Sequence, residues 1–88
     1  MGDVAVLFRL MPQGVETDLT AVRAALKDGL PSGVTVRGTQ VKDVAFGIRA
    51  LLVSVTMADM GGILESTEHA LAKIPGVESV EVMEEGLL

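Results

Sequence analysis

The chain has 88 residues, of which 49% are hydrophobic and 22% charged, and twelve acidic against seven basic side chains give a net charge of −5. That length suits one domain spanning 1–88, burying roughly 60 to 65 percent of its unfolded surface in a single core, and the hydrophobic share excludes a disordered chain. The scattered basic residues, with Phe8 and Phe46 the only aromatics, argue against nucleic acid as a direct partner, since neither a phosphate footprint nor a stacking platform is present. The lack of cysteine removes disulfides, thiolate nucleophiles and sulfur metal ligands, and fits a cytoplasmic address.

The N-terminus enters a strand pattern at once, without the basic leader and long apolar segment of a signal peptide. From Val4 to Met11 the pattern alternates. Val4, Val6, Phe8 and Leu10 face one way, and Ala5, Leu7, Arg9 and Met11 the other, with Arg9 marking the second row as the open one. Pro12-Gln13-Gly14 breaks this strand. Thr17-Asp18 then offers short oxygen side chains to cap a helix from about Asp18 to Leu30. Leu19, Val22, Leu26 and Leu30 form its apolar stripe, and Arg23, Lys27 and Asp28 its wet side. Pro31-Ser32-Gly33 stops the helix. A second strand begins at Val34-Thr35-Val36-Arg37 and fades through Gly38 to Lys42, and its glycine, lysine and mixed polarity mark it as an edge.

Val44 to Met57, V-A-F-G-I-R-A-L-L-V-S-V-T-M, carries one charge in fourteen residues and reads as the central strand. Leu51, Val53, Val55 and Met57 share the inward row. Phe46, Ile48, Ala50, Leu52, Ser54 and Thr56 share the outward one. This puts Phe46, Ile48 and Leu52 on an uncovered sheet face, where apolar surface marks a contact site. Arg49 conflicts with the inward row unless it lies near the strand end, and a bulge at Gly47 would reset the parity.

Ala58 to Gly62 is a turn, and Ile63 to Ile74 a second helix. It buries Ile63, Leu64, Thr67, Ala70, Leu71 and Ile74 and turns Glu65, Glu68 and Lys73 outward. After Pro75-Gly76, Val77 to Met83 alternates as a last strand with Val80 and Val82 inward. Glu84 to Leu88 follows as a short tail. Leu30-Pro31-Ser32-Gly33-Val34 and Ile74-Pro75-Gly76-Val77 repeat the passage from helix through Pro and Gly into strand. Two β-α-β halves of this size imply an α+β fold, βαββαβ. Its four-stranded antiparallel sheet carries two helices on one side and is bare on the other. No apolar run is long enough to cross a bilayer as a helix, so no membrane partner is expected.

Candidate chemistry is thin. His69 and Glu65, four apart on a helix, are two ligands where zinc needs three or four, so no metal is expected. Ser32, Ser54, Ser66 and Ser79 lack a nucleophile-elbow context. Gly61-Gly62 has no following Lys-Ser/Thr pair to make a phosphate loop. Glu78, Glu81, Glu84 and Glu85 match no calcium loop. Met11, Met57 and Met83 serve as gap fillers or as a soft interface rim. An acylphosphatase-type site would need an asparagine, which the chain lacks. The expectation is a protein-binding module that is not an enzyme and needs no cofactor. The alternative is a small-metabolite-binding regulatory domain that dimerises through its open sheet.

Several short motifs carry a resemblance: Met1-Gly2-Asp3-Val4, Met11-Pro12, Thr17-Asp18-Leu19, Ala45-Phe46-Gly47-Ile48 with Ala50-Leu51, Gly61-Gly62, Gly76-Val77 and Glu81-Val82. In this order and spacing they resemble the archaeal translation elongation factor one beta family over essentially the whole chain. The resemblance implies a ferredoxin-like sandwich that acts as a guanine-nucleotide exchange factor for elongation factor one alpha, as a monomer, in protein synthesis. It also implies that the aromatic at Phe46 contacts the GTPase. Eukaryotic relatives carry a next-to-last lysine that reaches the magnesium and phosphate region. Leu87 stands there in this chain, so that role is not transferred. The partner-binding residues expected on these grounds are Phe46, Gly47, Ile48 and Leu52, with Leu87 and Leu88 of the tail.

Overall fold

The computed structural model describes residues 3–58 and 61–87, so Met1, Gly2, Asp59, Met60 and Leu88 lie outside the described residues. The elements are β1 (Asp3–Pro12), α1 (Leu19–Gly29), β2 (Val34–Ala45), β3 (Ile48–Ala58), α2 (Ile63–Ala72) and β4 (Val77–Leu87). The strands form one antiparallel sheet in the order β2-β3-β1-β4, the ferredoxin-like βαββαβ arrangement.

Alternation in β1 and β3 builds the core. Val6, Phe8 and Leu10 of β1 and Leu51, Val53, Val55 and Met57 of β3 are buried on one face. There they meet Val22 and Leu26 of α1, Leu71 of α2, Ile74 in the turn that follows it, and Val77. Asp18 caps α1 as expected, its Oδ1 accepting from the Thr20 N–H at 3.0 Å and the Ala21 N–H at 3.4 Å. Thr67, fully buried in α2, donates its hydroxyl proton to the Ile63 carbonyl at 2.7 Å, which satisfies the one polar group in that helix's inner stripe.

Three expectations need correction. Val44 to Met57 is not one strand. β2 runs on to Ala45, Phe46-Gly47 turns the chain, and β3 starts at Ile48, with Ala45 paired to Ile48 across the turn. Phe46 (φ 53) and Gly47 (φ 79) both have positive φ, the combination a two-residue type I′ hairpin uses. Such turns are ordinarily Asn-Gly, and an aromatic in the first position disguises the turn as strand. The signals were Gly47 itself and the length, since fourteen extended residues would span roughly 46 Å. The parity along β3 is not reset, since the irregularity lies between Asp43 and Ala45 in β2 rather than at Gly47. Arg49 does keep its place on the helix-side row. It sits one residue into β3, where its side chain is two-thirds exposed and 3.3 Å from Asp43.

The second correction lengthens β2, which continues through Gly38 and Lys42 because β3 offers a full-length partner for its ladder. It is an edge, as expected. The third concerns the acidic tail. β4 does not end at Met83 but pairs with β1 as far as Leu87 opposite Val4, with a register shift between Leu7 and Phe8. The ladder along β1 satisfies backbone groups whatever the side chains are, and Glu84 and Glu85 stay in water on the edge.

Gly76 ties the α2–β4 turn to the β1–α1 loop. Its carbonyl accepts from the Gln13 N–H at 2.9 Å, its φ is +95, and a Cβ there would lie 2.9 Å from Thr17 Cγ2. Gly76→Ala combines a left-handed backbone with that clash. A loss of about 1 to 3 kcal/mol is expected, read as a lower urea midpoint at unchanged slope.

Candidate protein-docking surface

The β2–β3 hairpin ends in the most exposed large apolar side chain among the described residues, Phe46 at 98% of its full accessibility. Gly47 beside it is exposed, and Ile48 is half-buried where β3 leaves the turn. Phe46 is therefore outside the core, as expected, but at the tip of a turn rather than in a row on the sheet face. A phenyl ring in solvent on a left-handed backbone costs stability twice, through hydration and through strain. Such outliers persist at sites of function.

Behind the tip lies the open sheet face. Leu52 of β3 is paired with Arg9 of β1 and Gln40 of β2, and Leu7 with Ser54 and Glu84. A groove of about 450 Å³ runs across this face. Leu7, Ala50 and Leu52 belong to its lining, with Lys42 on the β2 side and Met83 and Glu84 on the β4 side. Ala50 is fully buried although it points away from the core. The neighbouring strands close over so short a side chain. Arg9 stands in the groove, its guanidinium held by Glu81, and its Nε is buried without a hydrogen-bond partner. On the β2 side Arg37 Nε donates to Thr56 Oγ1 at 3.1 Å.

The helix side of the hairpin base carries a second hollow, about 390 Å³, whose lining includes Pro12, Val15, Val41, Gly47 and Arg49. Val15, Val41 and Val44 are exposed alongside Phe46. Sequence reasoning missed all three as surface residues. Val41 and Val44 were legible only through the hairpin, which makes them flank a turn on an edge strand.

The residues expected to bind a partner do not form one cluster. Phe46, Gly47 and Ile48 sit at one end of the sheet, with Leu52 on the open face behind them. The backbone of Leu87 pairs with Val4, which pairs with Met57 at the other end of β3. Nine residues of strand separate Ile48 from Met57, roughly 30 Å. Leu88 is outside the described residues.

Among the described residues no group of three or more His, Cys, Asp or Glu is placed to hold a metal ion. Glu65 and His69 are both exposed on the outside of α2, and among the described residues no helix is long and apolar enough to cross a membrane. The arrangement can bind, through apolar surface framed by charge.

The family model described as the EF-1 guanine nucleotide exchange domain matches residues 5–87, which takes in the hairpin, the open face and the whole of β4 up to Leu87. The chain belongs to that family. Relatives named Elongation factor 1-beta support the assignment. The one from Methanococcoides burtonii is 44% identical over 86 residues, covering 98% of this chain and 97% of that one. The one from Halorubrum lacusprofundi is 43% identical over 88 residues, covering all of both chains. The one from Methanosarcina mazei is 42% identical over 85 residues and covers 96% of each. Among solved structures, the C-terminal domain of the MgtC protein from Mycobacterium tuberculosis superposes with a TM-score of 0.55 at 19% identity, over all of this chain and 88% of that one. At that identity the likeness concerns the fold alone. Membership in the exchange-domain family makes guanine-nucleotide exchange in translation elongation the function of this chain, and the metabolite-binding reading gives way to it.

Proposed function

We propose that this exchange domain acts on elongation factor 1-alpha, and that it grips that GTPase first through Phe46 at the tip of the β2–β3 hairpin. The supporting observation is the 98% exposure of that ring on a backbone with φ 53, a turn position where the fold has no need of an aromatic side chain. Gly47 and Ile48 frame the anchor, and Leu52 extends the contact onto the open face. A buried aromatic anchor supplies much of the docking energy in such interfaces.

Exchange asks for no covalent step. A factor that binds the nucleotide-free GTPase more tightly than the GDP-bound form must, by linkage, weaken GDP binding by the same factor. A factor that binds both forms equally shifts nothing, however tight it is. The domain therefore acts as a binding partner rather than an enzyme, one copy to one GTPase, in the cytoplasm where elongation proceeds.

Leu87 and Leu88 supply a second, apolar contact. The backbone of Leu87 is paired at the far end of the sheet, about 30 Å from the hairpin, so a GTPase touching both Phe46 and Leu87 lies along the length of the domain. Leu87 has no charge to offer a magnesium ion. On this reading GDP is loosened by moving the GTPase segments that hold it rather than by a cation displacing the metal.

The test is release of a fluorescent GDP analogue from the cognate GTPase in stopped flow. Release accelerated many-fold and saturating with added domain is the expected result. Release unchanged at saturating domain would overturn the proposal.

A further inference from the structure

The open sheet face has two banks of opposite charge. Arg37 and Lys42 of β2 line one side, and Glu81 and Glu84 of β4 the other, with Leu7, Ala50 and Leu52 between them. The levels along the strands match. Arg37 is the extra residue between the pairs Val36–Val55 and Gly38–Ser54, and Glu84 pairs with Leu7, which pairs with Ser54. Lys42 pairs with Ala50, and Glu81 lies opposite Arg9, which pairs with Leu52. The first two charges are level and the second two are two residues apart, roughly 7 Å along the strand and within reach of a lysine.

We infer that this face binds a second copy of the chain, face to face about a two-fold axis parallel to the strands. That operation reverses left and right across the sheet while keeping the level along it. The basic bank of each copy then lies over the acidic bank of the other, and β3 of each copy lies over β1 of the other, which sets Leu7 over Ser54 and Leu52 over the stem of Arg9. A two-fold contact of this kind is self-complementary and closed, so it ends at the dimer. A two-fold axis in the other in-plane direction would set like banks against each other, and the charge pattern rejects it. Arg9 already holds Glu81, so Lys42 of the second copy joins an existing ion pair rather than creating an isolated one.

The area sets the strength. Four strands about 4.8 Å apart over a shared length of about 25 Å give roughly 500 Å² per copy, below the range of stable complexes. The dimer is therefore weak, and it is sensitive to salt. The inference goes beyond exchange itself, but the two share Leu52, so a paired copy cannot place Leu52 against a GTPase. Phe46 at the hairpin tip stays outside the paired face.

Sedimentation equilibrium tests it. At low salt the weight-average mass should climb from 9.2 kDa toward twice that value as the chain is concentrated to about 1 mM, and should climb less at about 1 M salt. The variant Arg37→Glu/Lys42→Glu and the variant Glu81→Lys/Glu84→Lys should each remain at the monomer mass, and their equimolar mixture should associate again. On dilution of the wild type, amide shifts should move at Leu7, Ala50 and Leu52 and stay still along the outer side of α1, with circular dichroism confirming that every variant is folded. A monomer mass throughout would overturn the inference. So would association unchanged by either charge reversal, or shifts confined to the helices or strand edges. GDP release measured at micromolar chain is independent of these results, so failure of the dimer and failure of the exchange reading are separable.

Discussion

Replacing Phe46 by alanine is expected to remove most of the acceleration of GDP release while leaving the fold at least as stable as before. Truncating a hot-spot aromatic costs an interface about 2 to 4 kcal/mol, which is roughly 30-fold or more in docking affinity. The ring is 98% exposed, so its removal leaves no cavity in the free chain. Phe46→Asn sharpens the test. Asparagine tolerates the left-handed backbone, and Asn-Gly is the preferred pair for this turn, so the variant should gain about 0.5 to 1 kcal/mol in urea unfolding while losing docking. A gain in stability together with a loss of exchange separates an anchor from a structural residue. If Phe46→Ala and Phe46→Asn both exchange at the wild-type rate over the full concentration range, the hairpin tip is not the anchor.

The second large effect separates two adjacent leucines. Leu51 is fully buried between the sheet and the helices, and Leu51→Ala should cost about 2 to 5 kcal/mol, the penalty for lost burial plus a cavity. In a domain whose total stability is on the order of 5 to 15 kcal/mol, that lowers the urea midpoint sharply. The fraction still folded should dock normally. Leu52 is half-buried on the open face, and Leu52→Ala should cost about 1 kcal/mol or less in stability but several-fold in the concentration needed for half-maximal exchange. Equal destabilisation by the two substitutions would mean that the open face is packed like the core. Exchange unaffected by Leu52→Ala at all concentrations would remove Leu52 from the docking surface.

Much of this molecule is written in local pattern. The period-two alternation of Val4 to Leu10 and of Leu51 to Met57 assigned the inward rows correctly, because a strand's side chains must alternate and one face must be dry. Val22, Leu26, Thr67 and Leu71 fell on the predicted helical faces for the corresponding reason at a period of 3.6, and Asp18 caps α1 as its short carboxylate implied. Glycine and proline placed the ends of both helices to within a few residues, and these signals together were enough for the fold class.

What local pattern could not carry was pairing. Phe46 has no propensity for a turn, and only the meeting of β2 and β3 strand by strand forces the chain to reverse at Phe46-Gly47 and lifts the ring out of the sheet. Glu84 and Glu85 have no pattern of a strand, and only the unpaired length of β1 beside them draws the tail into the ladder as far as Leu87. The composition and order of residues alone determined that this chain is a two-layer sandwich with one bare face. The tertiary structure alone decided where the aromatic stands, which charges border that face, and that the two proposed contacts lie at opposite ends. Those facts depend on which strand lies beside which, a property of hydrogen bonds between residues far apart in the chain.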